Sequence, residues 1–369
     1  MENHNDVNKT ILEKCDISKL GNIDFVAIAI SGWHFSVIFS YLISLKKVLR
    51  GVIYVNQSRI GEEMLVYSET INISYVNIAS LKYNKNVENI KELLYGRNKN
   101  EGKDLRILTP FGYNLSLFTE IRKNFKDRNT NLVRFDEGIG TYLTEKDFNL
   151  FASELSNKKK FNQLKINIKL IIKKFLINRL KSNGFHFESF FLFKKTDKSL
   201  IANEDAVKNF REFYHAYAKY SLDYQTEQIL VFKDYDIDRI QTHDIIEFYK
   251  QLINTLSTKG KKIYIKKHPY DNEPLFDHAM SAYENVYIVK NSLDAEMLYS
   301  CLNPIITVGG VSTCCFSIPI IFNKVVYNFS ELYEKYSIAP ILEKEILLRK
   351  LYFPNDDRIV FIDSFNSII

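Results

Sequence analysis

The chain has 369 residues, too many for one ordinary core and suited to two domains of roughly 150 to 200 residues each. Its 46% hydrophobic and 25% charged residues exclude a disordered chain. A formal net charge of +6 suits anionic ligands or an anionic surface without demanding nucleic acid, for which no motif is present.

The N-terminus, MENHNDVNKTILEKCD, is polar and has no apolar signal region. No stretch of the chain approaches the roughly 18 uninterrupted apolar residues of a membrane-spanning helix. Cys15, Cys301, Cys314 and Cys315 offer no disulfide ladder, no Cys-x-x-Cys pair and no zinc spacing, which predicts a reducing, cytoplasmic setting. The adjacent Cys314 and Cys315 stand among apolar residues and read as small core residues.

FVAIAISG, from Phe25, predicts a buried strand ended by Gly32, and a helical pattern follows through Leu45. LRILTPFG, from Leu105 to Gly112, predicts a second strand, with a helix beginning near Asn114. NLVRFDEG predicts a third, closing on Asp136, Glu137 and Gly138. Apolar strands alternating with amphipathic helices indicate a parallel α/β sheet, whose ligand crevice lies at the carboxyl ends of the strands. Trp33, His34, Phe111, Tyr113, Asp136 and Glu137 all fall at such ends.

Residues 158–181, KKKFNQLKINIKLIIKKFLINRLK, are basic and apolar at helical spacing. They read as a solvated helix between domains, or as an interfacial helix lying on anionic lipid. Residues 185–220 are aromatic-rich and resist assignment.

A second α/β series opens with QILVFKD, continues through KKIYIKKHP, NVYIVKN and PIITVGG, and reaches KVVYNF. The predicted architecture is two doubly wound, Rossmann-like domains with a cleft between them, residues 1–220 and 221–369, on the plan of GT-B nucleotide-sugar transferases. That assignment rests on fold analogy.

Within the second series, His268 follows a strand directly, and Pro269 restricts it to an extended backbone. Histidine is the side chain most readily tuned to donate a proton near neutral pH. In TVGGVSTCCFS, Gly309 and Gly310 permit close backbone approach, and Ser312 and Thr313 stand at a predicted helix N-terminus. Such a terminus attracts phosphate, or is simply capped by a hydroxyl. Glu296, on a short helix between these sites, reads either as a ribose-binding carboxylate or as a surface residue. Asp234 and Asp236 mimic a metal-binding Asp-x-Asp, apart from the other motifs.

Asp136-Glu137-Gly138, His268-Pro269 and Ser312-Thr313 stand in this order on successive strand ends. The constellation resembles the bacterial GT-B sialyltransferases, the lipooligosaccharide sialyltransferases and capsular polysialyltransferases. Their marks are Asp/Glu-Asp/Glu-Gly, His-Pro and a pair of Ser or Thr residues. The resemblance runs from Phe25 to Asn328, with Ser-Thr here where Ser-Ser is common.

It implies CMP-sialic acid as donor, inversion at the anomeric carbon, and no metal or other cofactor, because CMP carries a single phosphate. It implies Asp136 as general base, with Glu137 second, and His268 as donor to the departing phosphate. Ser312 and Thr313, with Gly310 and Pro269, would hold CMP, and Glu296 the ribose. The acceptor would be a glycan of lipooligosaccharide, O-antigen or capsule, approached by Trp33, His34, Tyr113 and Asn114. Three alternatives compete: transfer of another CMP-activated acidic sugar such as Kdo or legionaminic acid, a teichoic-acid-type polyol-phosphate transferase, and a non-enzymatic docking subunit.

Overall fold

The computed structural model describes residues 24–55, 75–80, 104–110, 129–136, 142, 171, 175, 178–179, 181–182, 185–195, 199–218, 227–234, 242–268, 271, 273–289, 293–310, 312–336 and 356–368. The chain divides into two compact units, Met1–Phe191 and Leu192–Ile369.

The first unit carries six strands: β1 (Phe25–Ala29), β2 (Arg50–Val55), β3 (Tyr75–Ser80), β4 (Leu105–Pro110), β5 (Thr130–Phe135) and β6 (Phe185–Phe190). They lie in the order β3-β2-β1-β4-β5-β6, and every pairing is parallel. All five residues of β1 are buried, as a central strand covered on both faces requires. Gly51 of β2 is obligatory, because a Cβ there would overlap the Phe25 ring of its neighbour.

Helix α1 (Gly32–Ser44) leaves β1 through Ser31, whose hydroxyl accepts the His34 N–H at 3.3 Å. That bond satisfies one of the amides orphaned at a helix start. Residues 34–43 of α1 are buried throughout. The helix predicted after Asn114 lies outside the described residues. In the basic segment, positions 171, 175, 178, 179, 181 and 182 are helical and exposed, with Ile171 68% and Phe175 63% accessible.

The second unit begins with a short antiparallel pair, β7 (Phe193–Lys195) and β8 (Leu200–Ala202), and helix α2 (Glu204–Ala218). Its sheet comprises β9 (Gln228–Phe232), β10 (Lys262–Lys266), β11 (Val286–Val289), β12 (Ile306–Gly309), β13 (Val326–Asn328) and β14 (Ile359–Phe361). The order is β11-β10-β9-β12-β13-β14, again all parallel. Counted by appearance within its own sheet, each unit therefore reads 3-2-1-4-5-6. That is the doubly wound order whose switch point separates the first and fourth strands. The expected α/β architecture of two Rossmann-like units holds.

Helix α3 (Thr242–Ser257) shows how the second core forms. Ile245, Phe248, Tyr249, Leu252, Ile253 and Leu256 recur at helical spacing and are all buried. They cover the inward positions Ile229 and Val231 of β9, Ile263 and Ile265 of β10, and Ile306 and Val308 of β12. The Phe248 ring contacts the rings of Tyr249, Phe329, Tyr333, Tyr336 and Phe365 at centroid distances of 5.0 to 5.8 Å. Burying one such side chain contributes about 1.5 to 3 kcal/mol.

Three further helices, α4 (Pro274–Met280), α5 (Ala295–Leu302) and α6 (Cys314–Phe322), and the single turn α7 (Leu332–Lys335), complete the unit. Cys314 and Cys315 are buried in α6, as their apolar neighbours suggested.

The division at 191/192 differs from the expected 220/221, and α2 supplies the reason. Arg211 donates from Nε to the Ile321 carbonyl and from its guanidinium, at 3.0 Å, to the Ile320 carbonyl. It thereby serves acceptors that the end of α6 leaves without an intrahelical partner. The Ser300 hydroxyl of α5 donates to the Tyr214 carbonyl at 2.9 Å, and Tyr214 meets the Phe322 ring at 5.5 Å. Residues 192–218 thus belong to the second core. Among the described residues, no helix is long and apolar enough to cross a membrane.

Candidate active site

In the first unit, β5 stops at Phe135, so Asp136 is the first residue beyond the strand rather than its last. Its side chain is 1% exposed. Trp33, in the first turn of α1, donates its indole N–H to Asp136 Oδ1 at 2.8 Å and to the Asp136 carbonyl at 3.2 Å. The Tyr142 hydroxyl donates to Oδ2 at 2.5 Å. Two predicted residues, Trp33 and Asp136, therefore meet across 103 positions of sequence. Tyr142 was not anticipated.

Trp33 and Tyr142 thus hold the two carboxylate oxygens from two different elements of the unit. His34 is buried, accepts the Ile30 N–H at Nδ1 over 3.3 Å, and meets Phe135 edge-on at 5.4 Å. It secures the β1–α1 corner. Phe111, Tyr113, Asn114, Glu137 and Gly138 lie outside the described residues.

In the second unit, the first and fourth strands of the sheet are β9 and β12, and both of their carboxyl ends carry site residues. Asp234, just beyond β9, is buried and engaged on both oxygens. Oδ1 accepts the Ser312 N–H at 3.2 Å, and Oδ2 accepts the Tyr333 hydroxyl at 3.0 Å. Its own N–H donates to the Tyr249 hydroxyl at 3.2 Å. Burial, then the Asp234 charge, holds both tyrosines well above the ordinary phenol range.

Gly310 must be glycine here, since a Cβ would overlap Asp234 Oδ2 and meet Phe329 Cε2 at 2.9 Å. The Asn328 amide donates to the Gly310 carbonyl at 2.7 Å, and the Phe329 N–H to the Gly309 carbonyl at 2.9 Å. The Gly-Gly-x-Ser-Thr turn is thus clamped by Asp234 from β9 and by Asn328 from β13. Asp234 has both oxygens committed to this clamp. Asp236 lies outside the described residues.

The start of α6 differs from a simple cap. Thr313 is helical at φ −53° and makes no side-chain cap hydrogen bond. The Ser312 N–H is taken by Asp234, while Cys314 Sγ donates to Ser312 Oγ at 3.1 Å. The Ser312 amide is thus committed to Asp234, and the Ser312 hydroxyl to Cys314. Glu296, in the first turn of α5, is no surface residue. It is 3% exposed, and Oε1 accepts the Ser317 hydroxyl of α6. It therefore joins α5 to α6 one turn beyond Thr313.

His268 stands two residues past β10 and is exposed. Its pKa is lowered, first by the chain that crowds it, with Asp271 opposing and Lys266 and Lys233 adding to the depression. These influences favour the neutral ring, which donates from one nitrogen only. With β9 between them, β10 and β12 are about 10 Å apart, two strand spacings. His268 and the Ser312–Thr313 turn are therefore brought to one edge of one sheet. Pro269 lies outside the described residues. Among the described residues no group of three His, Cys, Asp or Glu could hold a metal ion.

Residues 2–327 match the model of a family described as alpha-2,8-polysialyltransferase (POLYST). No curated protein matches the chain. Among solved structures, the chain is similar to a family 9 glycosyl transferase from Veillonella parvula, with 12% identity over 92% of this chain and 86% of that one, at TM-score 0.42. It is similar to the E. coli heptosyltransferase WaaC with ADP, with 10% identity over 83% and 86%, at TM-score 0.40. A putative UDP-N-acetylglucosamine 2-epimerase from Listeria monocytogenes gives 10% identity over 89% and 87%, at TM-score 0.44. Likenesses this distant carry no argument, and the architecture rests on the strand order of the two sheets.

Proposed function

The chain belongs to the alpha-2,8-polysialyltransferase family, and from that premise we propose that it is an inverting, metal-independent sialyltransferase acting on CMP-sialic acid. It is a glycosyltransferase, with a nucleotide-sugar donor and a glycan acceptor.

The observation that carries it is the clamped turn Gly309–Thr313 at the switch point of the second sheet, with His268 on the same sheet edge. Ser312 and Thr313 present hydroxyls to the single phosphate of CMP, and Glu296 stands one helical turn away for the ribose. In the transfer, the acceptor hydroxyl attacks the anomeric carbon of the sialic acid and its proton passes to Asp136. The bond from that carbon to the phosphate oxygen breaks, and the electron pair leaves with CMP. His268 donates a hydrogen bond to that phosphate as its charge develops, which stabilises the transition state. Attack and departure occur on opposite faces of the sugar, and inversion follows, as in glycosidases whose two groups flank the bond.

The acceptor is a glycan of a bacterial surface polysaccharide, and the family description favours a sialoside. Incubation of the protein with CMP-sialic acid and either lactose or a sialyl-lactoside, with products read by mass spectrometry, tests this. A gain of one or more sialyl residues is expected. No transfer to either acceptor, with transfer from CMP-Kdo or from a CDP-polyol instead, refutes the donor.

A second reading, of location, is favoured by the exposed Ile171 and Phe175. They lie in a segment, 158–181, with nine Lys and Arg and no Asp or Glu. Such a helix would rest on the anionic inner face of the cytoplasmic membrane, each basic residue contributing about 1 kcal/mol. Sedimentation with anionic vesicles should exceed that with neutral ones, and equal sedimentation refutes it.

A further inference from the structure

Lys233 is the first residue beyond β9, and its side chain is only 3% exposed. Its ammonium pairs with the carboxylate of Asp271, whose side chain is fully buried. The same ammonium lies 3.8 Å from Glu273 Oε2, 3.5 Å from the Asp234 carbonyl and 4.8 Å over the Phe276 ring. Asp271 stands three residues beyond His268, and its N–H donates to the His268 carbonyl at 2.9 Å. Its Oδ1 has no hydrogen-bond partner among the described residues, with Lys267 Nζ at 3.8 Å. Lys267 is itself bound to Asp277 of α4 at 2.6 Å.

A buried ion pair is a poor way to gain stability, since well-packed apolar residues of the same volume often do as well or better. What this pair does uniquely is tie the end of the first strand to the loop carrying the imidazole. We propose that Lys233 and Asp271 are positioning residues for His268: their buried pair fixes the loop that presents the ring and balances the charge around it. The inference rests on the reading of His268 as the donor to the leaving phosphate.

Asp271 favours the protonated form of the His268 ring, while Lys233 and Lys266 disfavour it. Glu273, Lys267 and Asp277 form the outer layer of the same cluster.

The test uses the whole protein, with Lys233→Met, Asp271→Asn and the double variant. The His268 imidazole is titrated by NMR without donor, and kcat/KM is measured against pH with CMP-sialic acid. Lys233→Met should raise the His268 midpoint, Asp271→Asn should lower it, and the double variant should return it towards wild type. The double variant should still lose kcat/KM, because the loop is no longer held, and Lys233→Arg should restore part of it. Opposed shifts place both charges at the ring, and a kcat/KM lost in the double variant at an unchanged thermal midpoint separates positioning from loss of fold.

Where a single variant fails to fold, the double variant, which removes both members of the fully buried pair and leaves only the part-exposed Glu273 without its cation, decides. Wild-type kcat/KM in the double variant overturns the proposal, as do single variants whose midpoints move together. Opposed midpoint shifts in a protein that transfers no sugar would support the positioning and refute the function.

Discussion

Asp136→Asn separates the chemistry of the first unit from its architecture. The carboxylate accepts Trp33 Nε1 at 2.8 Å on one oxygen and the Tyr142 hydroxyl at 2.5 Å on the other. An asparagine can keep both contacts. Its Oδ1 must face Trp33, which only donates, and its amide then faces Tyr142, whose hydroxyl can reverse and accept. Two charge-assisted bonds of about 1.5 to 3 kcal/mol become neutral ones of about 0.5 to 1.5 kcal/mol. The charge no longer has to be buried, which offsets part of that loss. The net cost is therefore roughly 2 kcal/mol or less, and Tm should fall by no more than about 8 °C.

The rate has no such compensation. Without a proton acceptor, kcat should fall by about 10²- to 10⁴-fold, roughly 3 to 5 kcal/mol of barrier. CMP affinity should stay at the wild-type level, since CMP is assigned to the other unit. Three measurements suffice: kcat at saturating donor and acceptor, a thermal melt, and CMP titration by calorimetry. An Asp136→Asn enzyme within about threefold of wild-type kcat, or a dead Glu137→Gln beside an active Asp136→Asn, would show that the base is not Asp136.

Gly310→Ala should destabilise the second unit by about 2 to 5 kcal/mol, because the new methyl group displaces Asp234 from Ser312 and Tyr333; an unchanged urea midpoint would mean the turn relaxes freely. Ser312→Ala combined with Thr313→Ala should weaken CMP binding and activity together, and an unaltered calorimetric Kd would remove these hydroxyls from the phosphate site. Activity should persist in excess chelator, whereas loss restored by magnesium or manganese would bring Asp234 and Asp236 back as metal ligands.

Short apolar runs made β1, β4, β9 and β12 legible, and the Ile263–Ile265 core of β10 with them, but β2 passed unread although five of its six residues are buried. The β6 strand was not legible, because FHFESF has several exposed side chains and mixes aromatic with polar residues. Its neighbourhood hid α2 as well, whose 15 residues are amphipathic but lie in a stretch too aromatic to divide by eye. Short-range signals were enough to mark Asp136, His268 and the Gly309–Thr313 turn as candidates, by a strand end, a proline and paired glycines; their roles belong to the proposal.

The residues that hold them were hidden because their partners are remote. Tyr333 reaches Asp234 across 99 positions, and Ser312 reaches it across 78. Lys233 and Asp271 are separated by 38. One signal was available and unused: an acid two residues past the first strand of a doubly wound series stands at its switch point. Asp234 there reads better as a clamp than as half of a metal-binding pair.

The seam at 191/192 bears on dissecting the protein. A fragment starting at residue 221 would discard Phe210, Phe213, Tyr214 and Tyr217, all buried, and would strip Arg211 from the Ile320 and Ile321 carbonyls. Such a piece would expose an oily flank of α5 and α6 and aggregate. A fragment starting at residue 192 carries its own cover. Limited proteolysis should accordingly release a resistant C-terminal product that retains α2. That product is the starting point for studying nucleotide capture apart from acceptor chemistry.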